Sequence, residues 1–197
     1  MTKELQSLYN EISEMAARRF PGSGEHLVLG DGPDKSPKVL LLGEAPGAHE
    51  VEQGRPFVGQ AGKNLNEFLT LAGLERSDLF ITNTVKLRPC KTGASGRLSN
   101  RAPSRDELEA FIPYLLREID LVDPAVTVTL GNTPLHALCG KEINIGACHG
   151  QLLTGPGGRK IWCLYHPAAV IYRRELKAVY EEDVRALGAY LRGQNDI

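Results

Sequence analysis

The sequence predicts an α/β protein, a three-layer α/β/α sandwich with a small, mainly parallel central sheet. Short, continuously apolar runs at 38–42, 79–82 and 125–130 are typical of parallel strands that are covered on both faces. Segments with helical periodicity lie between these runs, so strands alternate with helices along the chain. The 197 residues, 42% of them hydrophobic, suffice for one substantial core, and we expect a single domain over 1–197.

The other elements follow from local patterns. Apolar residues at helical spacing predict an N-terminal helix over 3–19, within the segment 1–22: Leu5, Leu8, Tyr9, Ile12 and Met15. Further helices are expected over 62–71 and 104–121, the second of which opens with a capping-box pattern from Ser104 to Glu107. A short helix over 133–139 is followed by strand-like runs at 151–153 and 161–165 and by a closing helix near 178–191.

The charge distribution is uneven although the formal net charge is only -1. Between 84 and 105 the chain has basic residues and no acidic one: Lys86, Arg88, Lys91, Arg97, Arg101 and Arg105. Part of this stretch, 90–103, is rich in Gly, Ser and Asn and is predicted to be a basic loop insertion. Such a loop either contacts phosphates or is simply solvated.

Cysteine usage and hydropathy indicate the protein's compartment. Cys90, Cys139, Cys148 and Cys163 are irregularly spaced, and we expect free thiols rather than disulfides or a metal site. No apolar run approaches the roughly 20 residues that a helix needs to cross a bilayer. The N-terminus lacks the profile of a signal peptide. We therefore expect a cytoplasmic protein with no membrane partner.

Polar and glycine-rich segments follow the predicted strands. Gly43–Gly47 and Asn83 each come directly after a strand, and His166 follows the run 161–165. Ligands of such sheets bind beyond the carboxyl ends of the strands, so these residues are expected at one edge. The Gly-Glu-Ala-Pro-Gly turn at 43–47 is weakly informative by itself, because Gly and Pro also serve simply to make turns.

An ordered set of motifs is more specific. It comprises Gly43-Glu44-Ala45-Pro46-Gly47, Glu50, Gly54-Arg55-Pro56-Phe57-Val58-Gly59-Gln60-Ala61-Gly62, Thr82-Asn83-Thr84-Val85-Lys86-Leu87-Arg88-Pro89 and Tyr165-His166-Pro167-Ala168-Ala169. The set resembles the uracil-DNA glycosylase superfamily, most closely its thermostable iron-sulfur type, family four. The resemblance covers residues 28 to 190. It implies the α/β/α fold and hydrolysis of the N-glycosidic bond of a deaminated base in DNA, which leaves an abasic site.

The resemblance implies three base-binding residues. Phe57 would stack on the extruded base, which contributes about 1–3 kcal/mol; packing in the core is the alternative. Asn83 would match the N3–H donor and O4 acceptor of uracil with its side-chain amide, or else would bond the loop backbone. Ala45 occupies the position at which other branches of the superfamily have an Asp or Asn.

The catalytic residues implied by the resemblance are His166, Glu50 and Glu44. His166 would stabilise the negative charge that develops at uracil O2, as a neutral donor or as a cation. Ala45 cannot orient the hydrolytic water, so Glu50 and Glu44 are the candidates. We favour Glu50 for this role, or for excluding the C5 methyl group of thymine, and expect Glu44 to hold the loop through backbone hydrogen bonds.

A DNA surface is expected around this pocket. In the superfamily the segment after His166 enters DNA with an apolar wedge, here Val170, Ile171 or Tyr172, although a core position is the alternative for Val170 and Ile171. Arg173 and Arg174 would then contact phosphates. The same contact is expected of basic residues in the 84–105 stretch: Lys86, Arg88, Arg97 and Arg101.

The chain departs from family four at the cluster. Enzymes of that family carry two cysteines ahead of the first strand, one at the position of Leu87 and one near Phe111. Here no cysteine precedes Cys90. We expect no iron-sulfur cluster and no other cofactor, with apolar packing by residues such as Leu87 and Phe111, or greater mobility, in its place.

The sequence thus predicts a monofunctional uracil-DNA glycosylase that acts as a monomer on DNA containing uracil or another deaminated base. Two alternatives stay open. One is a DNA-binding or damage-sensing module with little turnover, which Ala45 and the missing cluster cysteines suggest. The other is a glycosylase shifted to hypoxanthine or xanthine.

Overall fold

A computed structural model describes residues 1–24, 26–94 and 96–193, with the backbone alone at 59–61 and 171–172. The strands are β1 (Val39–Gly43), β2 (Leu79–Asn83), β3 (Cys90–Thr92), β4 (Leu98–Asn100), β5 (Val126–Leu130), β6 (Leu152–Thr154) and β7 (Lys160–Leu164). The helices are α1 (Lys3–Arg19), α2 (Ala48–Gln53), α3 (Gly59–Ala72), α4 (Arg105–Val122), α5 (Asn132–Cys139), α6 (Ile145–Cys148), α7 (Pro167–Tyr172) and α8 (Leu176–Gly193).

The central sheet has five strands in the order β2-β1-β5-β7-β6. The first four are parallel, and β6 pairs antiparallel with β7 at the edge. Every residue of β1, β2 and β5 is buried, which explains why their sequences are continuously apolar or Thr-rich rather than alternating.

Helices cover both faces of this sheet. Leu40, Leu42 and Phe80 point to one face and pack with buried residues of α1, α4, α5 and α6. Their neighbours Leu41 and Ile81 point to the other face and pack with α3 and α8. The predicted three-layer α/β/α sandwich is therefore confirmed.

The helix starts predicted from the sequence for α1 and α4 are found in the structure. α1 spans the predicted residues, with Thr2 as its N-cap accepting the Leu5 amide at 3.3 Å. α4 begins after Ser104, whose hydroxyl accepts the Glu107 amide at 3.2 Å, while Glu107 accepts the Ser104 amide at 2.6 Å. This reciprocal pair is the expected capping box.

Two local expectations need correction. The region 90–103, predicted as a basic loop insertion, contains a β-hairpin in which Cys90 of β3 lies opposite Asn100 of β4. The helices α2, α6 and α7 were not expected, because each is only four to six residues long and shows too little periodicity. Among the described residues, no helix is long and apolar enough to cross a membrane.

Candidate active site

The loop after β1 and the end of β2 lie side by side at the carboxyl edge of the sheet. Parallel pairing sets Gly43 opposite Asn83. The amide and hydroxyl of Thr84 both donate to the Gly43 carbonyl, at 2.8 and 2.9 Å, and the Val85 amide donates to the Glu44 carbonyl at 3.2 Å. These bonds extend the pairing past the strands and fix the first motif against Asn83.

His166 reaches the same edge from β7. Gly131, directly after β5, donates its amide to the Leu164 carbonyl at 2.8 Å. A Cβ at Gly131 would come within 3.2 Å of the His166 Cβ, so the two chain segments pass closely. The expectation that His166 joins the loop residues at one edge is thereby met.

A cavity of about 130 Å³ opens at this edge. It is lined by every predicted catalytic and base-binding residue, together with Gly47, Asn64 and Pro167: Glu44, Ala45, Glu50, Phe57, Asn83 and His166. An apolar protein cavity of about 150 Å³ binds benzene, so the volume found here is in the range of one six-membered ring. The individual roles of the lining residues stay predictions.

Gly43 has no room for a side chain. A Cβ there would lie 2.4 Å from Asn83 Oδ1 and 3.1 Å from both Cε2 and Cζ of Phe57. The Asn83 amide and the edge of the Phe57 ring therefore converge over the Gly43 backbone. A ring and an amide placed together in this way offer a planar base both a stacking surface and hydrogen bonds.

Phe57 has an unusual backbone conformation. Its φ is 54°, in the left-handed region that bulky residues rarely adopt and that costs of the order of 1–3 kcal/mol. The side chain is only 9% exposed and packs with the α3 and α8 core cluster. The same ring thus belongs to the core and lines the cavity, so the two readings of Phe57 are compatible.

Glu50, on α2, holds the two ends of the pocket loop together. Its Oε2 accepts the Gly47 amide at 3.1 Å, and its Oε1 accepts the Val58 amide at 3.2 Å. Because Val58 directly follows Phe57, the second bond helps to hold the left-handed backbone there. Glu50 therefore has the backbone contacts to the loop that were expected of Glu44.

Glu44 is held by a side chain instead. Thr133 Oγ1, in α5, donates to Glu44 Oε2 at 2.5 Å. The negative charge of Glu44 raises the pKa of His166, although the effect of burial is larger. Glu44 is thus bonded to a side chain of α5 rather than to the loop backbone, and its charge acts on His166. Which of the two carboxylates orients water stays a prediction.

His166 is the N-cap of α7, and its Nδ1 accepts the Ala168 amide at 3.1 Å. A neutral ring whose Nδ1 accepts carries its proton on Nε2, which is then a donor. Burial lowers the pKa of His166 from its ordinary value of 6.5, with Glu44 opposing this shift. Of the two forms considered from the sequence, the neutral donor is therefore favoured at neutral pH.

Two residues of the site were missed from the sequence. Asn64 lines the cavity from α3, where a polar residue in an amphipathic helix is ordinarily assigned to solvent. Thr133 fixes Glu44 from the start of α5. The sequence could have indicated Thr133, because this residue follows the predicted strand that ends at Leu130 and so lies at the same edge of the sheet as Asn83.

The predicted DNA contact of Lys86 is wrong. Its side chain is buried, with 0% of the residue exposed. Its ammonium group donates to Thr82 Oγ1 at 2.6 Å, to the Asn83 carbonyl at 2.8 Å and to Glu118 Oε2 at 2.5 Å. An ammonium group has three N–H donors, and all of them are used inside the protein.

Arg101 is exposed, and its predicted phosphate contact stays a prediction, but its guanidinium group also bonds inside the protein. Its Nη1 and Nη2 donate to the two carboxylate oxygens of Glu107, each at 2.7 Å, and its Nε donates to the Cys90 carbonyl at 3.2 Å. This bidentate pair neutralises the guanidinium and fixes the hairpin to the start of α4.

Arg88 and Arg97 line a groove of about 570 Å³ between the β3–β4 hairpin and α2. The groove shares Gly47 and Glu50 with the base cavity. Arg97 is exposed, and Arg88 donates from Nε to Asn100 Oδ1 at 2.8 Å. Both guanidinium groups are thus placed next to the cavity, as a phosphate contact would require.

The segment after His166 is only partly described. Val170 is half-buried, packs against the α3 and α8 core cluster and lines a second cavity of about 320 Å³ beside Pro167. Arg173 is exposed. The predicted wedge residue Ile171 has a side chain that lies outside the described part of the structure.

Apolar packing fills the positions that align with cluster ligands. Leu87 and Phe111 are both 0% exposed, and Phe111 stacks on Phe20 with ring centroids 6.0 Å apart. All four cysteines are free thiols. Within the described ranges, no group of three or more His, Cys, Asp or Glu residues could hold a metal ion. Leu87 and Phe111 do not fit an iron-sulfur cluster, because neither offers a thiolate.

Comparison with known proteins identifies the family of the chain. The family model of the uracil DNA glycosylase superfamily matches residues 29–188. The Type-4 uracil-DNA glycosylase of Pyrobaculum aerophilum is 39% identical over 171 residues, which cover 83% of this chain and 79% of the relative. The Type-4 uracil-DNA glycosylase of Thermotoga maritima is 34% identical over 194 residues, and the match covers 96% of both chains.

The crystal structure of wild-type SMUG2 from Pedobacter heparinus matches with a TM-score of 0.52 at 14% identity, over 82% of this chain and 77% of that one, and supports the fold alone. The chain belongs to the uracil-DNA glycosylase superfamily.

Proposed function

We propose that the protein is a DNA repair glycosylase that hydrolyses the N-glycosidic bond of uracil flipped out of DNA and leaves an abasic site. The observation that carries this proposal is the convergence of Phe57, Asn83 and His166 on a cavity of about 130 Å³. That volume suits a single-ring base. The relatives named Type-4 uracil-DNA glycosylase favour uracil over the purine alternatives, hypoxanthine and xanthine.

Base recognition combines stacking with hydrogen bonding. Extruding a base costs a few kcal/mol, and stacking on Phe57 offsets about 1–3 kcal/mol of this. The Asn83 amide offers an acceptor to N3–H and a donor to O4 of uracil, whereas cytosine presents the opposite pattern. The side-chain amide of Asn83, which lies beside the Phe57 ring over Gly43, is therefore enough to distinguish uracil from cytosine.

His166 stabilises the departing base. Cleavage leaves negative charge on uracil, and a neutral imidazole that donates from Nε2 to O2 opposes this charge as it forms. The Ala168 amide holds Nδ1 as an acceptor, so the donor is set before the substrate binds. A preset donor needs no reorganisation during the reaction, which is the condition under which such groups contribute most.

Glu44 is the better candidate for orienting the hydrolytic water. Both oxygens of Glu50 accept backbone amides of the pocket loop, whereas Glu44 has one oxygen bonded to Thr133 and lies near His166. We therefore assign water orientation to Glu44 and loop positioning to Glu50. Ala45 lines the cavity without offering a polar group.

We assign DNA contact to the surface around the cavity. The groove with Arg88 and Arg97 supports phosphate binding on one side. In the segment after His166, the exposed Arg173 follows Val170, which is the described candidate for the apolar wedge. Positive charge beside the pocket suits a strand that enters it at the flipped nucleotide.

The protein is further proposed to work without an iron-sulfur cluster. The packing of Phe20, Leu87 and Phe111 supports this, since an apolar contact replaces the link that thiolates and iron would provide. Anaerobically purified protein should contain neither iron nor acid-labile sulfide. Stoichiometric amounts of both, with visible absorbance from thiolate-to-iron charge transfer, would overturn this part of the proposal.

The activity is tested with labelled oligonucleotides that contain uracil, hypoxanthine, xanthine or a thymine mismatch, followed by alkaline cleavage. Uracil should give product, and Asn83→Ala and His166→Ala should form it much more slowly, at a residual rate that single-turnover assays can still measure. The exposed residues Asn10 and His26 provide matched controls, because their alanine variants should cleave at the wild-type rate. Tight binding without product would favour the damage-sensing alternative, and product from the purines alone would favour the shifted substrate.

A further inference from the structure

The network around Lys86 lies directly behind the base-reading residue. Lys86 and Glu118 are each 0% exposed, and their side chains form an ion pair of 2.5 Å between Nζ and Oε2. Glu118 Oε1 also accepts the hydroxyl of Tyr9 at 2.8 Å, and Thr82 Oγ1 bonds the same carboxylate. Burial lowers the pKa of Lys86 and the nearby Glu118 charge opposes this effect, whereas burial and Glu118 together raise the pKa of Tyr9.

Such a network is not explained by stability alone. Replacing a buried ion pair by apolar side chains of similar volume is often neutral or stabilising in other proteins. The ion pair therefore points to a requirement for a defined geometry rather than for a stronger core. The group whose geometry the ion pair sets is the Asn83 carbonyl, which accepts the third N–H of the Lys86 ammonium group.

That third donor bonds the Asn83 carbonyl at 2.8 Å. The peptide group from Asn83 to Thr84 is consequently held from both sides, because the Thr84 amide donates to the Gly43 carbonyl at 2.8 Å. Fixing this peptide plane fixes the ψ angle of Asn83 and the direction from which its side chain enters the cavity. Asn83 itself is 3% exposed and lines that cavity.

We propose that the buried pair of Lys86 and Glu118 positions Asn83 for base recognition. Both are positioning residues, because they act through the Asn83 backbone and do not line the base cavity. The inference rests on the proposed function. Lys86, the lysine of the 82–89 motif, then acts inside the protein, behind the pocket, and does not contact the DNA backbone.

The test compares changes that disturb the same network at different points. Lys86→Met combined with Glu118→Gln removes the ammonium bond to Asn83 without leaving a buried carboxylate unpaired. Tyr9→Phe is the matched control, since it removes a bond to Glu118 that does not involve Asn83. Circular dichroism and thermal unfolding establish that each variant is folded.

The expected result is a difference in chemistry rather than in DNA binding. The Lys86 and Glu118 double variant should lose about tenfold to a hundredfold in the single-turnover rate at saturating DNA, with little change in the affinity for DNA. Tyr9→Phe should be less stable but should cleave at nearly the wild-type rate. In an Asn83→Ala background, the double change should cost little further rate, because its effect passes through Asn83.

A second readout does not depend on turnover. The side-chain NH2 resonances of Asn83, assigned by their loss in Asn83→Ala, should shift or broaden in the double variant and stay unchanged in Tyr9→Phe. A wild-type protein that leaves uracil intact would refute the proposed function, and the resonances would still test the positioning. A folded double variant with wild-type rate and unchanged Asn83 resonances would overturn the inference, as would an equal loss of rate in the Asn83→Ala background.

Discussion

Gly43→Ala is a small change that should damage the base pocket. The added Cβ would lie 2.4 Å from Asn83 Oδ1, whereas ordinary van der Waals contact begins at 3.4 Å. The Asn83 amide must therefore retreat by about 1 Å. The ring atoms of Phe57, at 3.1 Å, need to give by only a few tenths of an ångström.

The size of the effect follows from this displacement. Misplacing a catalytic contact by about 1 Å can cost on the order of 10²-fold in rate, which corresponds to about 2.7 kcal/mol of transition-state stabilisation. Overpacking of the core should also lower the free energy of unfolding by about 1–3 kcal/mol, which leaves most domains folded. The excision rate of Gly43→Ala should thus fall far more than the fraction of the protein that is folded.

The assay is single-turnover excision of uracil from a labelled oligonucleotide, with thermal unfolding measured in parallel. Gly193→Ala is the matched control, because a Cβ there meets nothing within 4 Å. The same change should cost much less in an Asn83→Ala background, where the clashing oxygen is absent. A Gly43→Ala protein with the wild-type rate, or with the same loss in both backgrounds, would refute the derived pocket geometry.

Other parts of the site lead to three further predictions. The acid limb of the excision rate should lie below pH 6.5, because burial lowers the pKa of His166 and the neutral ring is the donor. Glu44→Gln should move this limb to still lower pH, since the Glu44 charge raises that pKa; a limb that stays in place would contradict the coupling. Arg97→Ala should reduce the slope of log affinity against log salt by about 0.9 on duplex DNA. Arg101→Ala should instead lower the melting temperature and leave the slope unchanged, and equal slope losses would contradict its internal pairing. Glu50→Gln should slow excision about tenfold, because one of two loop amides loses its acceptor; an unchanged rate would show that the loop is held by other contacts.

The strands and the pocket edge could be predicted because local sequence determines them. Continuous apolar runs specify buried parallel strands, and residues that directly follow such strands must meet at one edge. Gly43 and Asn83 are consequently opposite each other in the sheet register. The ordered motifs then identified which polar residues at that edge belong together.

The short helices could not be predicted by the same means. α2 has six residues and buries none of them, so it has no apolar stripe that a periodicity could reveal. Yet α2 decides the orientation of Glu50, whose carboxylate accepts the Gly47 and Val58 amides. The role of that carboxylate was therefore beyond what the sequence pattern could settle.

The pairing of charged side chains could not be predicted for a related reason. A basic residue in a polar stretch is ordinarily solvated, but Lys86 pairs with Glu118 of α4, and Arg101 pairs with Glu107 at the start of the same helix. Whether a cation is paired depends on tertiary contacts, whereas composition counts it as available. With Lys86 buried, the exposed basic surface is smaller than the sequence indicates, and Arg88 and Arg97 line the groove beside the base cavity.

Glu44 of the first motif and Glu50 of α2 show what such contacts imply for the proposed catalysis. Ala45 leaves the loop without the polar side chain that other branches have, so a nearby group must orient water. Both oxygens of Glu50 accept backbone amides of the segment that carries Phe57, whereas Glu44 is anchored through one oxygen to Thr133. The proposed assignment of loop positioning to Glu50 and of water orientation to Glu44 therefore requires no polar side chain at position 45.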